Sequence, residues 1–187
     1  MDDRKINSFK ERVVKASVEA SKLYKKYFLD YEYIIFSDSL GTRGQKIKAE
    51  KGNFMHLIGI NSKVKPVTFF EKCINDNLNA SDFDFNKKYQ SEKSVKGSVR
   101  EKIKIISDAM RMFDKELSVE KNFVKNRVTC SFATSENTFT IGFVESGRPM
   151  TLMRNNQLDE QKRNNVEILL KKEEIINFIV LFMEPLI

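Results

Sequence analysis

The chain has 187 residues, enough for one well-formed core or one core with an appended helix. Its apolar fraction of 41%, with 15 phenylalanines and no tryptophan, is a normal globular supply. The 33 lysines and arginines outweigh 26 acids, and the resulting +7 suits a polyanionic partner, nucleic acid above all, with the plainer reading that the charge serves only solubility equally open at this point.

Residues 4–29 read as one helix. Ile6, Phe9, Val13, Ala16, Ala20, Leu23 and Tyr27 recur at three- and four-residue steps and line one face. This helix has no catalytic pattern and suits a core element or an arm that docks a partner. Residues 31–36 alternate and are rich in aromatic and β-branched side chains, so they read as a strand. A turn holding Gly41 and Gly44 leads to a return strand over 45–49, whose Lys46 and Lys48 point away from Ile47. Residues 54–60 form a short helix or turn entered through Gly52 and Asn53. Pro66 opens a helix to about Asn77, with Val67, Phe70, Cys73 and Ile74 inward.

Residues 79–97 are polar and irregular, a surface segment pinned by Phe83 and Phe85. A helix follows from Ser98 or Val99 to about Phe113, with Ile103, Ile106, Met110 and Phe113 buried. Residues 86–105 hold seven lysines or arginines against Glu92 and Glu101, a net +5 that concentrates most of the chain's charge in one place. The last third is strand-like: 123–133, 138–145, 150–153 and 166–170, with a hairpin turn at Ser135, Glu136 and Asn137. Residues 173–183 read as a closing helix. The fold class is α+β, N-terminal helices followed by a mainly antiparallel sheet, with residues 1–30 as an N-terminal helix and 31–187 as the main domain.

Several chemistries are poorly served. One histidine with Cys73 and Cys130 far apart does not make a zinc site, and Asp82 and Asp84 read better as capping residues than as metal ligands, so no metal or cofactor is expected. There is no phosphate-binding glycine loop and no nucleophile elbow. The N-terminus is charged rather than leader-like, and the longest apolar stretch, 175–187, is broken and short of a membrane span. A cytoplasmic setting with no membrane partner is the expectation.

His56 is the sole histidine and stands in the apolar run Phe54-Met55-His56-Leu57-Ile58-Gly59. A lone histidine in such a run is most often a packed core residue; its functional reading is a general acid or base on a charged substrate. Cleavage of RNA without a metal requires little more. The ribose 2′-OH attacks its own phosphate, a base takes the hydroxyl proton, an acid protonates the leaving 5′-oxygen, and cations stabilise the phosphorane. Lys102, Arg100 or a sheet arginine are candidates for the charge, and Ser131, Thr138 or Thr140 for a hydroxyl bonded to phosphate.

The run Phe54–Gly59 resembles the F-x-H-L-T-G signature of the fourth group of phage-associated barnase–EndoU–colicin E5/D–RelE-like nucleases. Further pieces follow in that group's order. Residues 98–103, Ser-Val-Arg-Glu-Lys-Ile, resemble its T-x-x-x-K helix start. Ser131-Phe132 with Ile141-Gly142-Phe143 resembles its hairpin, and Pro149-Met150-Thr151-Leu152-Met153 its P-x-S-L-L/M strand. Ile58 and Thr151 depart from the usual threonine and serine. The likeness spans about residues 31–171 and implies a barnase/RelE-like single domain and a metal-independent endoribonuclease of phage or mobile-element origin, often toxin-like. It implies His56, Lys102 and Ser131 as catalytic residues. Lys87, Lys88, Lys96, Arg100, Arg148 and Arg154 are the expected nucleic-acid contacts, with RNA, tRNA and mRNA among the candidates, or another nucleic acid as the partner. The alternative is a catalytically inactive factor that binds nucleic acid or a host protein. In a third reading, the N-terminal helix docks an antitoxin or caps the site.

Overall fold

The computed structural model describes residues 3–173 and 178–183. The first helix, α1 (Asp3–Tyr24), continues through one π turn over Lys25–Leu29. Its buried line is Phe9, Val13, Ser17, Ala20, Tyr24 and Phe28, which drifts from the predicted stripe along the second half. Ser17 and Ser21 are buried where Ala16 and Leu23 were expected, and both satisfy their hydroxyls within the helix, on Val13 O at 2.7 Å and Val18 O at 2.8 Å. The side chain of Ile6 lies outside the described ones.

The elements then run β1 (Tyr31–Phe36), β2 (Gln45–Ile47), α2 (Phe54–Ile58), β3 (Asn61–Ser62), α3 (Pro66–Ile74), β4 (Phe83–Asp84) and α4 (Glu92–Ala109). After them come β5 (Ser118–Lys121), β6 (Val124–Lys125), β7 (Val128–Thr129), β8 (Phe132–Glu136), β9 (Phe139–Phe143), β10 (Pro149–Arg154), β11 (Asn164–Asn165), β12 (Ile168–Glu173) and β13 (Phe178–Met183). One sheet has the order β13-β12-β1-β2 and the other β10-β9-β8-β5-β11. All strand pairings among the described residues are antiparallel. The fold is α+β, with helices first and antiparallel sheets after.

Three expectations are corrected. The closing helix expected over 173–183 is replaced, where the residues are described, by strands: Glu173 ends β12, and 178–183 form β13, paired with β12 in the register Lys172 to Phe178. Phe-Ile-Val-Leu-Phe-Met is apolar throughout and has no polar helical face, and its aromatic and β-branched side chains suit a sheet; residues 174–177 lie outside the described ones. The run 123–133 is not one strand but the small β6–β7 hairpin followed by β8, because Asn126 and Arg127 both take positive φ, 48° and 66°, as a tight turn requires. Finally, α4 begins seven residues before Val99, at Glu92, where the Ser91 hydroxyl accepts the Ser94 N–H at 3.2 Å.

One core joins the two sheets and all four helices. Phe9, Val13 and Tyr24 of α1 share it with Ile35, Phe54, Phe70, Val99, Ile106, Phe132 and Leu152. The sheets meet through backbone hydrogen bonds: Val166 N–H donates to Leu117 O at 2.8 Å and Glu167 N–H to Phe36 O at 3.0 Å. Gly147 makes a further join. It has φ +82°, and a Cβ there would lie 2.2 Å from the Lys46 carbonyl oxygen, so only glycine lets the β9–β10 turn sit on β2.

Candidate nucleic-acid cleft

The position of His56 follows from what surrounds α2. The Tyr24 hydroxyl donates to Glu50 O at 2.9 Å, and the Glu50 N–H donates to Asn53 Oδ1 at 2.8 Å, which fixes the approach to the helix. Phe54, Leu57 and Ile58 turn into the core, with Phe54 edge-on to Phe70 at 5.6 Å. Three of five residues thus point inward, and His56 is left exposed on the outer side. The packed-core reading of this histidine therefore does not hold.

Lys102 is placed by α4 in an unusual way. Val95, Val99 and Ile106 are buried along α4, and Lys102, half-buried, falls in line with them at four- and three-residue steps. Its stem reaches over Gly59, the left-handed cap of α2 with φ +84°. A Cβ on Gly59 would stand 2.9 Å from Lys102 Nζ. The glycine therefore serves twice, ending α2 in a conformation other residues resist and leaving room for the ammonium.

Lys102, Gly59 and Lys87 line one cleft of about 430 Å³, together with Gln90, Ser98 and Glu101, the Asn126 and Val128 hairpin, Thr151 to Arg154 of β10, and Gln157. A smaller hollow of about 190 Å³ beside β1 shares none of these residues, and its Lys48 is already paired with Glu32.

The electrostatics of the cleft are one-sided. His56 itself is not among the residues that line the cleft; partial burial, and then the charges of Lys87 and Lys102, hold its imidazole below its ordinary value. Burial and the Lys87 charge push the Lys102 ammonium down to about 8. Burial also lowers Lys87. No carboxylate among the described residues raises any of the three. Glu101 is the acid in the lining, and it is already neutralised by Lys104 at 2.9 Å and by Arg154, which hold its carboxyl low. A carboxylate so held is a weak base, so the imidazole is the group in this region suited to accept a proton near neutral pH.

The remaining expected contacts are scattered. Arg154 lines the cleft through its pair with Glu101. Lys88 is exposed beside it on the turn that carries Lys87, its Nζ 5.3 Å from the Tyr89 ring centroid. Lys96 is only 7% exposed, paired with Glu92 at 2.6 Å and set over the Phe85 ring, so its charge serves the fold. Arg100 lies over the Phe9 ring of α1, on another side of α4 from Lys102. Arg148 bonds Ser146 Oγ at 3.1 Å and approaches Glu50 at 3.9 Å. Ser131 precedes β8, its N–H donating to Phe143 O at 2.9 Å and its carbonyl accepting from Asn122 at 2.8 Å, and it does not line the cleft.

The cleft also holds residues that were not singled out from the sequence as ligands: Gln90, Asn126, Gln157, Ser98 and Thr151. Ser98 could have been found, because it lies four residues before Lys102 and so on the same helix face. Gln157 could not. It is brought in by the loop after β10, whose Gln157 N–H donates to Thr140 Oγ1 at 2.9 Å.

Thr140 and Ser135, the buried hydroxyl pair at the β8–β9 end, bond each other at 2.9 Å and support that loop rather than a substrate. Thr138 sits in the hairpin turn, bonded to Asp108 and Glu136. No group of three or more His, Cys, Asp or Glu among the described residues is placed to hold a metal ion, and no helix among them is long and apolar enough to cross a membrane.

A one-sided cationic cleft beside an accessible imidazole fits a protein that handles phosphodiesters. Comparison with known proteins points the same way. No curated protein and no solved structure matches the chain. Residues 18–180, however, match the model of one nuclease family, and the chain belongs to it: phage-Barnase-EndoU-ColicinE5/D-RelE like nuclease 4.

Proposed function

We propose that this nuclease cleaves RNA without a metal ion, with His56 as general base and Lys102 as the cation that meets the developing phosphorane charge. The observation that carries this reading is an exposed imidazole beside two lysines, Lys87 and Lys102, that no carboxylate neutralises among the described residues. At neutral pH the lowered imidazole is neutral and ready to take the 2′-OH proton, while Lys102 is still mainly an ammonium. The 2′-oxygen then bonds to phosphorus and the bond from phosphorus to the 5′-oxygen breaks. That oxygen leaves with a proton, for which Lys102 is a suitable donor because burial has weakened its hold on it. Lys87 and Arg154 extend the positive surface along the phosphate backbone, and Ser98 and Thr151 offer hydroxyls to phosphate oxygens. The substrate is a cellular RNA, tRNA or mRNA, reached in the cytoplasm, and a toxin-like role against a host follows from such an activity.

The test is cleavage of total RNA and of tRNA in the presence of a strong chelator, wild type against His56→Ala. The expected result is cleavage that survives the chelator and falls on the order of 10²-fold or more in the variant, with an unchanged far-UV spectrum. Equal cleavage by both proteins would overturn the role of His56. Tight RNA binding with no cleavage by either protein would favour the inactive nucleic-acid-binding factor instead.

A further inference from the structure

Tyr89 is the most exposed large apolar side chain among those described, with 86% of its surface open to solvent. It contributes almost nothing to the core, which leaves its position to be explained. It sits on a four-residue turn, Lys87 to Gln90, clamped by a bridge between the two end residues and by the Gln90 N–H donating to Lys87 O at 3.2 Å. Both ends of the turn, Lys87 and Gln90, line the cleft. The clamp therefore holds Tyr89 at the cleft's rim, two residues from a lysine whose charge reaches both His56 and Lys102. Lys88 lies over one side of the ring at 5.3 Å and draws a backbone phosphate towards the same spot.

We propose that Tyr89 is a stacking platform for one unpaired base of a single-stranded nucleic acid whose adjoining phosphate is held by Lys87 in the cleft. An exposed ring beside cations is the arrangement by which proteins hold single strands with little base preference, since every base offers a π-face. A duplex keeps its bases stacked on each other and offers none to the ring, so the platform selects unpaired segments over helices. The proposal rests on the cleft being a nucleic-acid site and deepens that reading by naming the strand form it accepts.

The experiment measures binding of the full chain to a fluorescent, fully 2′-O-methylated single-stranded oligonucleotide, which lacks the hydroxyl needed for cleavage. Tyr89→Ala is expected to bind about 5- to 100-fold more weakly, and Tyr89→Phe and Tyr89→Trp within about twofold of wild type. The alanine penalty should vanish on an abasic strand of the same length, and the salt dependence should be the same for wild type and Tyr89→Ala, because no charge is removed. Wild-type affinity for Tyr89→Ala, an equal loss on the abasic strand, a loss in Tyr89→Phe, or no binding by wild type would each overturn the platform. The outcomes separate the two claims. RNA cleavage that depends on His56 but not on Tyr89 sinks the platform alone. A base-dependent Tyr89 effect on binding without any cleavage keeps the platform and sinks the nuclease mechanism.

Discussion

Replacing Lys102 with methionine should make the protein more stable and less active. Methionine keeps the length and flexibility of the lysine stem, and the half-buried position lies in line with the buried Val99 and Ile106 of α4. The wild-type ammonium sits at about 8 instead of 10.5 because burial disfavours its charge. A gap of that size corresponds to roughly 3 kcal/mol held against the fold at neutral pH; partial exposure of the side chain reduces this to on the order of 2 kcal/mol.

For a chain of this size, that gain raises Tm by roughly 4–8 °C. The sign with pH follows from proton counting. The folded-state value lies below the unfolded one, so between about pH 8 and pH 10.5 the unfolded chain holds more protons and wild-type stability climbs with pH. The advantage of Lys102→Met is therefore full below about pH 8 and fades towards pH 10.5. Thermal and urea denaturation followed by circular dichroism, on either side of that window, measures it. RNA cleavage should meanwhile fall on the order of 10²-fold, as when one preorganised electrostatic contact to a transition state is removed. A variant less stable than wild type at neutral pH would show that the ammonium is well satisfied in the fold, and one that cleaves at the wild-type rate would remove Lys102 from the mechanism.

Gly59→Ala should cost about 1–2 kcal/mol of stability, since alanine resists the left-handed conformation. Its Cβ would also push Lys102 Nζ from a site 2.9 Å away, and a displacement of this kind lowers cleavage on the order of 10²-fold; wild-type Tm and activity together would refute both. The profile of kcat/KM on single-stranded RNA should be bell-shaped, rising through a limb below 6.5 set by His56 and falling through one near 8 set by Lys102. A rate that falls from acid towards neutral pH would instead make the imidazolium the acid. Thr151→Val, which removes the hydroxyl of a cleft residue, should lower kcat/KM roughly tenfold, whereas Ser131→Ala should leave it within about twofold; the reverse order would return Ser131 to the site.

Much of this arrangement is readable in the chain. The His56 segment, the strand at 31–36, the helix opened by Pro66 and the Ser131–Phe143 hairpin order all rest on local patterns of period and turn chemistry, and the structure contains them. Lys102 was reachable too, although for a reason deeper than charge: it interrupts an apolar period, and a lysine there is desolvated. What stayed hidden depends on long-range packing. That His56 would face outward follows from Phe54, Leu57 and Ile58 all finding core partners, which a five-residue run does not reveal. Lys96 and Arg100 look like Lys102 in sequence, yet the first is closed in by Glu92 and Phe85 and the second lies over Phe9. The apolar run at 178–183 misled because an all-apolar segment has no period of its own, and its pairing with β12 decides the outcome.

The most direct test of the mechanism is a DNA oligonucleotide carrying a single ribonucleotide, incubated with the protein and a chelator, with the product ends identified by mass. Attack by the 2′-OH predicts one cut, on the 3′ side of that ribonucleotide, leaving a 2′,3′-cyclic phosphate and a 5′-hydroxyl, and no such cut with His56→Ala. Cutting at the deoxyribonucleotides, 5′-phosphate ends, or loss of all activity on removing divalent ions would contradict it.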